Sequence, residues 1–77
     1  MKNTRLIEAR KNKNLNQTEL AEILGFSGKQ SVANWENGYS NPTLETAIRL
    51  SEVLEKDIKF LFGNKVQDSH TKNISAS

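Results

Sequence analysis

Four residues near the middle of this 77-residue chain, Lys29, Gln30, Ala33 and Asn34, share one side of a helix when "KQSVANWEN" is wound at about 100° per residue. Val32 and Trp35, the chain's only tryptophan, fall on the other side. A plain solvated helix face is normally rich in Glu and Lys, which are strong helix formers, whereas Asn is a poor one. Asn34 and Asn37 therefore lower local stability, and that cost suggests a use. The chemistry that calls for Gln, Asn and Lys together is the reading of base edges. Gln or Asn engages N6 and N7 of adenine, Lys reaches O6 and N7 of guanine, and Ala sits against a thymine methyl. A simple polar surface helix is the competing reading of the same composition.

The surrounding elements place that face. In residues 17–24, Leu20, Ala21, Ile23 and Leu24 form one unbroken apolar arc, with Thr18, Glu19 and Glu22 opposite. Asn16 followed by Glu19 reads as a capping box, and Gly25 ends the helix. An amphipathic helix, a tight turn and the polar helix make a helix-turn-helix. The start of its first helix, Asn16 and Gln17, would offer N–H groups and amide side chains to a phosphate. Residues 4–13 form a helix with Leu6, Ile7 and Ala9 on its apolar side, and Arg10 falls inside that arc. Residues 44–55 form another, capped by Thr43 after Pro42, with Leu44, Ala47, Ile48, Leu50, Ser51 and Leu54 on the core side and Glu45, Arg49 and Glu52 opposite. A short last helix runs from a cap at Asp57 through "IKFLF" to Gly63. The fold class expected is all-α: a compact five-helix domain over residues 3–63, followed by a disordered tail over 64–77 whose composition is polar and aperiodic.

Composition excludes several classes. There is no Cys, and the one His, His70, cannot build a metal site alone. No nucleophile–base pair, metal cluster or phosphate loop is visible, so no catalytic residue, metal or cofactor is expected. No apolar run approaches the roughly 20 residues that span a bilayer, and "MKNTRLIEARKNKN" lacks the apolar segment of a secretory signal. A cytoplasmic protein without membrane partner or small-molecule ligand is the expectation. Net charge is +2, but residues 1–13 carry five Lys and Arg against one Glu. A basic end suits a phosphate backbone, and a solvated helix face explains it equally well.

Taken together, "LNQTELAEILGFS", "QSVANWENG", "NPTLETAIRLSEVL" and "IKFLF" closely resemble the phage repressor and Cro family, the XRE-type helix-turn-helix regulators. The resemblance covers about residues 5–63. It implies a lambda-repressor-like five-helix DNA-binding domain whose third helix, about 29–36 here, enters the major groove of double-stranded DNA. It also implies binding as a homodimer to an inverted-repeat operator. The implied base contacts are Lys29, Gln30 and Asn34, with Ala33 close by. The implied phosphate contacts are Asn16, Gln17, Ser27 and Ser31, together with backbone N–H groups of the "ENG" turn and its continuation at Asn37, Gly38, Tyr39 and Ser40. Tyr39 stands where many relatives carry Lys or Arg. The family pairs an Arg and a Glu at the positions of Arg10 and Glu36, and the helical angles alone put both partly inward. The alternative for Arg10 is a phosphate contact.

Two departures from the family leave expectations open. The turn "GFSGKQSV" is one residue longer than in many relatives. Gly28 caps the polar helix if one counts back from Glu36, and Ser27 if one counts forward from Gly25. In the second register Gln30 closes a capping box rather than reading a base. After the fourth helix, Glu55 stands where relatives often have Gly, so it must adopt a left-handed backbone at roughly 1 kcal/mol. For self-association, Val53 and Phe60, with Leu50, are the candidate patch, and completion of a small core is the other role for these side chains. The function expected is a sequence-specific transcriptional regulator, a repressor. An antitoxin that also binds a protein partner is the alternative, disfavoured by a short tail with only Val66 and Ile74 as large apolar residues. A module that has lost DNA binding is a third reading, disfavoured by Gln17, Gln30, Asn34 and the "ENG" turn.

Overall fold

Five helices follow in order: α1 (Thr4–Asn12), α2 (Gln17–Ile23), α3 (Gln30–Asn37), α4 (Leu44–Leu54) and α5 (Ile58–Phe62). The structure, a computed structural model, describes residues 1–66. The tail expected over 64–77 lies outside the described residues from 67 onward. Val66, within that expected tail, packs partly buried against the core.

Local chemistry sets the helix starts. Asn16 and Glu19 form the expected capping box: Glu19 N–H donates to Asn16 Oδ1 at 2.7 Å, and Asn16 N–H donates to Glu19 Oε1 at 2.8 Å. Thr43 Oγ1 accepts from Thr46 N–H at 3.3 Å at the start of α4. Asp57 stands at the N-cap of α5, but its side chain makes no cap hydrogen bond. That five-residue helix is held instead by burial of Leu61 and Phe62. Two residues other than glycine take left-handed backbones. Asn14 (φ 60°) closes the α1–α2 turn, and Glu55 (φ 57°) ends α4 as its position requires. Lys13 Nζ reaches Glu55 Oε2 at 3.1 Å across the surface.

The core collects Leu6 and Ala9 from α1, Leu20, Ala21 and Leu24 from α2 and its end, and Val32 and Trp35 from α3. Ala47, Leu50 and Leu54 of α4 and Leu61 and Phe62 of α5 complete it. Trp35 meets Phe26 edge to face, ring centroids 5.8 Å apart. Ile23, Leu44 and Ile48, all expected in the core, are instead 42–46% exposed. For α4 the reason is a rotation of roughly 60° from the expected apolar arc. Leu50, Leu54 and Ala47 occupy its centre, and Val53, expected outside, packs partly buried against the core. Arg49, expected in solvent, donates to the carbonyls of Leu24 (2.9 Å) and Ile23 (3.1 Å) and so covers the end of α2. A helix end leaves four carbonyls without intrahelical partners, and a guanidinium is well suited to take two of them.

Asn3 is the other long-range tie. Its Oδ1 accepts from Leu6 N–H (3.0 Å) and caps α1. Its Nδ2 donates to Leu61 O (2.8 Å) in α5, and its main-chain N–H donates to Glu36 O (2.8 Å) in the last turn of α3. One residue thus joins the start of α1 to the ends of α3 and α5. Asn3→Ala is expected to lower the unfolding free energy by about 1–3 kcal/mol, for a lost cap and a lost part-buried hydrogen bond. Asn3→Ser caps but is too short to reach Leu61, and should recover about half of that loss. Urea titration measures both, and a wild-type midpoint for Asn3→Ala would remove Asn3 from this role.

Candidate nucleic-acid interface

The helix-turn-helix is built on two matching helix ends. Gly25 (φ 89°) follows α2; its N–H donates to Glu22 O (3.0 Å) and the Phe26 N–H to Ala21 O (2.9 Å). Gly38 (φ 81°) follows α3; its N–H donates to Trp35 O (3.2 Å) and the Tyr39 N–H to Asn34 O (2.9 Å). Both are Schellman ends, in which the left-handed glycine turns the next two N–H groups back onto helix carbonyls. At Gly38 a side chain is excluded a second time, because a Cβ there would collide with the Met1 carbonyl.

These bonds correct the expected role of the "ENG" turn. The Gly38 and Tyr39 amides are committed to the helix end, and the Ser40 N–H also turns toward Asn34 O, at 3.4 Å. Gly38 has no other donor, and its amide shapes the turn. The groups that remain free to face a phosphate are side chains: the Asn37 amide, the Ser40 hydroxyl and the hydroxyl of Tyr39, which is 80% exposed.

The interior of the motif is a charged cluster. Arg10 Nε lies 2.6 Å from Glu36 Oε2 and Arg10 Nη2 lies 3.2 Å from Oε1. Both residues are buried, and Arg10 Nη1 donates to Leu15 O at 2.8 Å. Gln17 Nε2 completes the carboxylate's shell at 2.9 Å from Glu36 Oε1. The two-point contact fixes the guanidinium plane, and the low local dielectric strengthens the pair while raising the cost of breaking it. This geometry commits three N–H groups of Arg10 to the interior and gives the residue a structural role. Gln17 keeps one amide proton and its oxygen for the outer side. With Asn16, Thr18 and Lys29 it lines an open cleft, floored by Arg10, between the start of α2 and the start of α3.

Opposite the buried Val32, Trp35 and Glu36, α3 presents Lys29 and Gln30 exposed and Ala33 and Asn34 half-exposed. Gln30 Nε2 donates to Asn34 Oδ1 at 3.0 Å. That i, i+4 link orders the two amides and leaves Gln30 Oε1, one Gln30 proton and both Asn34 protons pointing out. Neither expected cap of α3 is used. Lys29 occupies the N-cap position with a helical backbone (φ −82°, ψ −2°) and no side-chain bond, and Ser27 and Gly28 lie in the bend before it. The chain is already turning helically at Lys29, so Gln30 is the first residue of α3 and its amide is not drawn into a capping box. Ser27 is exposed in that bend and Ser31 is half-buried in the first turn of α3.

The expected self-association patch is also corrected. Leu50 is fully buried and belongs to the core, and Val53 packs against it. Phe60 remains 42% exposed, with the Arg5 guanidinium 5.1 Å and the Lys56 ammonium 5.5 Å from its ring centre. Three residues that organise the site were missed in the sequence: Asn3, Arg49 and Leu15, whose carbonyl holds Arg10. For Asn3 the available signal was an Asn standing just before the first apolar period, the usual sign of a cap.

Comparison with known proteins gives two matches. The helix-turn-helix family matches residues 6–61. An HTH-type transcriptional regulator, AnsR of Bacillus subtilis (strain 168), is 35% identical over 63 residues, 82% of this chain and 53% of that protein. The chain thus spans about half the length of this curated relative. No solved structure matches. Replacing Glu36 by Ala leaves Arg10 and Gln17 facing an empty buried acceptor site, and is expected to cost about 3–5 kcal/mol in chemical unfolding. Lys13→Ala, which removes an exposed pair, should stay within about 1 kcal/mol. Equal small losses for the two variants would deny the buried cluster a structural role.

Proposed function

We propose that this chain, which belongs to the XRE-type helix-turn-helix family, is a sequence-specific DNA-binding transcriptional regulator, a repressor that places α3 in the major groove of its operator. The observation that carries this reading is the division of α3 itself. Val32, Trp35 and Glu36 are locked inward while Lys29, Gln30, Ala33 and Asn34 stand outward beside the cleft of Asn16 and Gln17. Lys29, Gln30 and Asn34 carry free donors and acceptors for base edges, and Ala33 leaves room for a thymine methyl. Asn16 and Gln17, with Ser27, Ser31, Asn37, Tyr39 and Ser40 on the turns around α3, set register through phosphates, which carry no sequence information.

One such helix reads too few bases to define an address. A homodimer on an inverted repeat, its half-sites about 34–36 Å or a multiple apart, supplies the rest. Phe60, with Lys56 beside its ring, is proposed to contribute to the dimer contact together with Val53. Sedimentation over a range of concentrations should show a weakened dimer for Phe60→Lys, and unchanged association would move the contact elsewhere.

Selection from a randomised duplex library, followed by sequencing, defines the operator and the role of each side chain. Asn34→Ala should relax base preference at one position of each half-site and cost about 1–3 kcal/mol on the preferred duplex. Gln17→Ala should weaken all duplexes by a similar factor. If Asn34→Ala selected the wild-type operator unchanged, α3 would not be the reading element.

A further inference from the structure

The turn that follows α3, "NGYSNPT" over residues 37–43, contains no charged side chain. Its first amides are committed to the helix end, as described above. Yet the end of a helix lying in the major groove stands beside the phosphate backbone. Any positive charge there comes from a neighbouring element.

The main chain of Met1 lies against Gly38, so closely that a Cβ on Gly38 would strike it. One residue beyond Lys2, Asn3 is pinned to Glu36 O and Leu61 O at 2.8 Å each. Lys2 is therefore held beside this turn by fixed backbone on both sides, with its side chain exposed. It opens onto a groove of about 630 Å³ lined also by Gly38, Asn41, Arg5, Phe60 and Lys65, and by no Asp or Glu. Arg5 is engaged with Phe60, through its ring and through the carbonyl at 3.4 Å. Lys2 and Lys65 form no salt bridge among the described residues. Two ammonium groups without an acidic partner among the described residues, over a concave surface, create a local positive potential.

We propose that this groove is a second phosphate-binding surface. Lys2, assisted by Lys65, holds the DNA backbone next to the C-terminal end of α3 and supplies the charge that the turn lacks. The proposal rests on the DNA-binding reading above. It assigns no base contact: an ammonium is a point charge, so it adds affinity without sequence preference.

The test is a set of salt titrations of the full chain with its selected operator, read by fluorescence anisotropy. Each phosphate neutralised by Lys or Arg contributes about 0.9 to the slope of log affinity against log salt. Lys2→Ala should lower that slope by about 0.9 per subunit, about 1.8 for a dimer on both half-sites, and Lys65→Ala by up to the same amount, with base preference and urea midpoint unchanged. Lys2→Arg should restore the slope. A wild-type slope for Lys2→Ala, when Gln17→Ala weakens binding to all duplexes alike, overturns the second surface and leaves the DNA reading standing. A Lys2→Ala effect on self-association with no change in slope also overturns it, in favour of a second copy of the chain in the groove. If the wild-type chain selects no duplex, the DNA-binding reading falls along with the groove.

Discussion

The Glu36 carboxylate is the point on which the arrangement depends. It receives two N–H groups from Arg10 and one from Gln17, while the third arm of Arg10 reaches Leu15 O. α1, the α1–α2 connection, the first residue of α2 and the last turn of α3 are thereby referred to one buried group. A buried ion pair of this kind adds little net stability, because desolvating both charges offsets most of their attraction. Its effect is on geometry: a two-point fork tolerates little rotation. Any roll of α3 that turned its polar face away would break the fork and strand a charge. The cluster selects one orientation of α3 more strongly than it stabilises the fold.

That selection is needed because α3 is short. Eight residues are well below the length at which an isolated helix holds together in water. Its outward face includes Asn34, a poor helix former. Val32 and Trp35 supply the apolar anchor, Glu36 the orientation, and Gly38 the stop. Asn3, bonded to Glu36 O, approaches the same turn from the other side. A helix this short must be specified from behind, and every inward position between Val32 and Gly38 does so.

Much of this was legible in the sequence because it is local. The capping box at Asn16 and Glu19, the Thr43 cap, the glycines after α2 and α3 and the left-handed Glu55 are all signals within four or five residues of where they act. The Arg10–Glu36 pair was legible for a different reason: each charge sits where its own helix turns inward, and two such positions of opposite sign invite pairing. What was illegible is what depends on the packing of distant segments. The rotation of α4 that turns Val53 toward the core and frees Leu44 and Ile48 depends on how the other helices pack against it, which the sequence does not state. Asn3 meets Leu61 across 58 residues, and Arg49 meets Leu24 across 25. The cap of α3 was missed by a residue or two on either count, because a helical backbone at Lys29 needs no capping side chain and leaves no mark in composition.

Asn3, Arg10 and Arg49 do one kind of work, and domain size explains why. Each donates to a carbonyl at or just beyond a helix end: Leu61 O, Leu15 O, and Ile23 and Leu24 O. Helices of five to eleven residues have almost as many end groups as internal hydrogen bonds, since each end leaves four backbone groups open. A core of a dozen side chains cannot cover them all. Side chains that reach across the domain to helix ends close these groups and fix the separation of elements at once. The relative placement of α2 and α3 is therefore set at their ends as much as in the core: Arg49 behind α2, Asn3 behind α3, and Glu36 between them. On this account, polar residues at the helix ends share with Val32 and Trp35 the task of fixing how α3 sits in the domain.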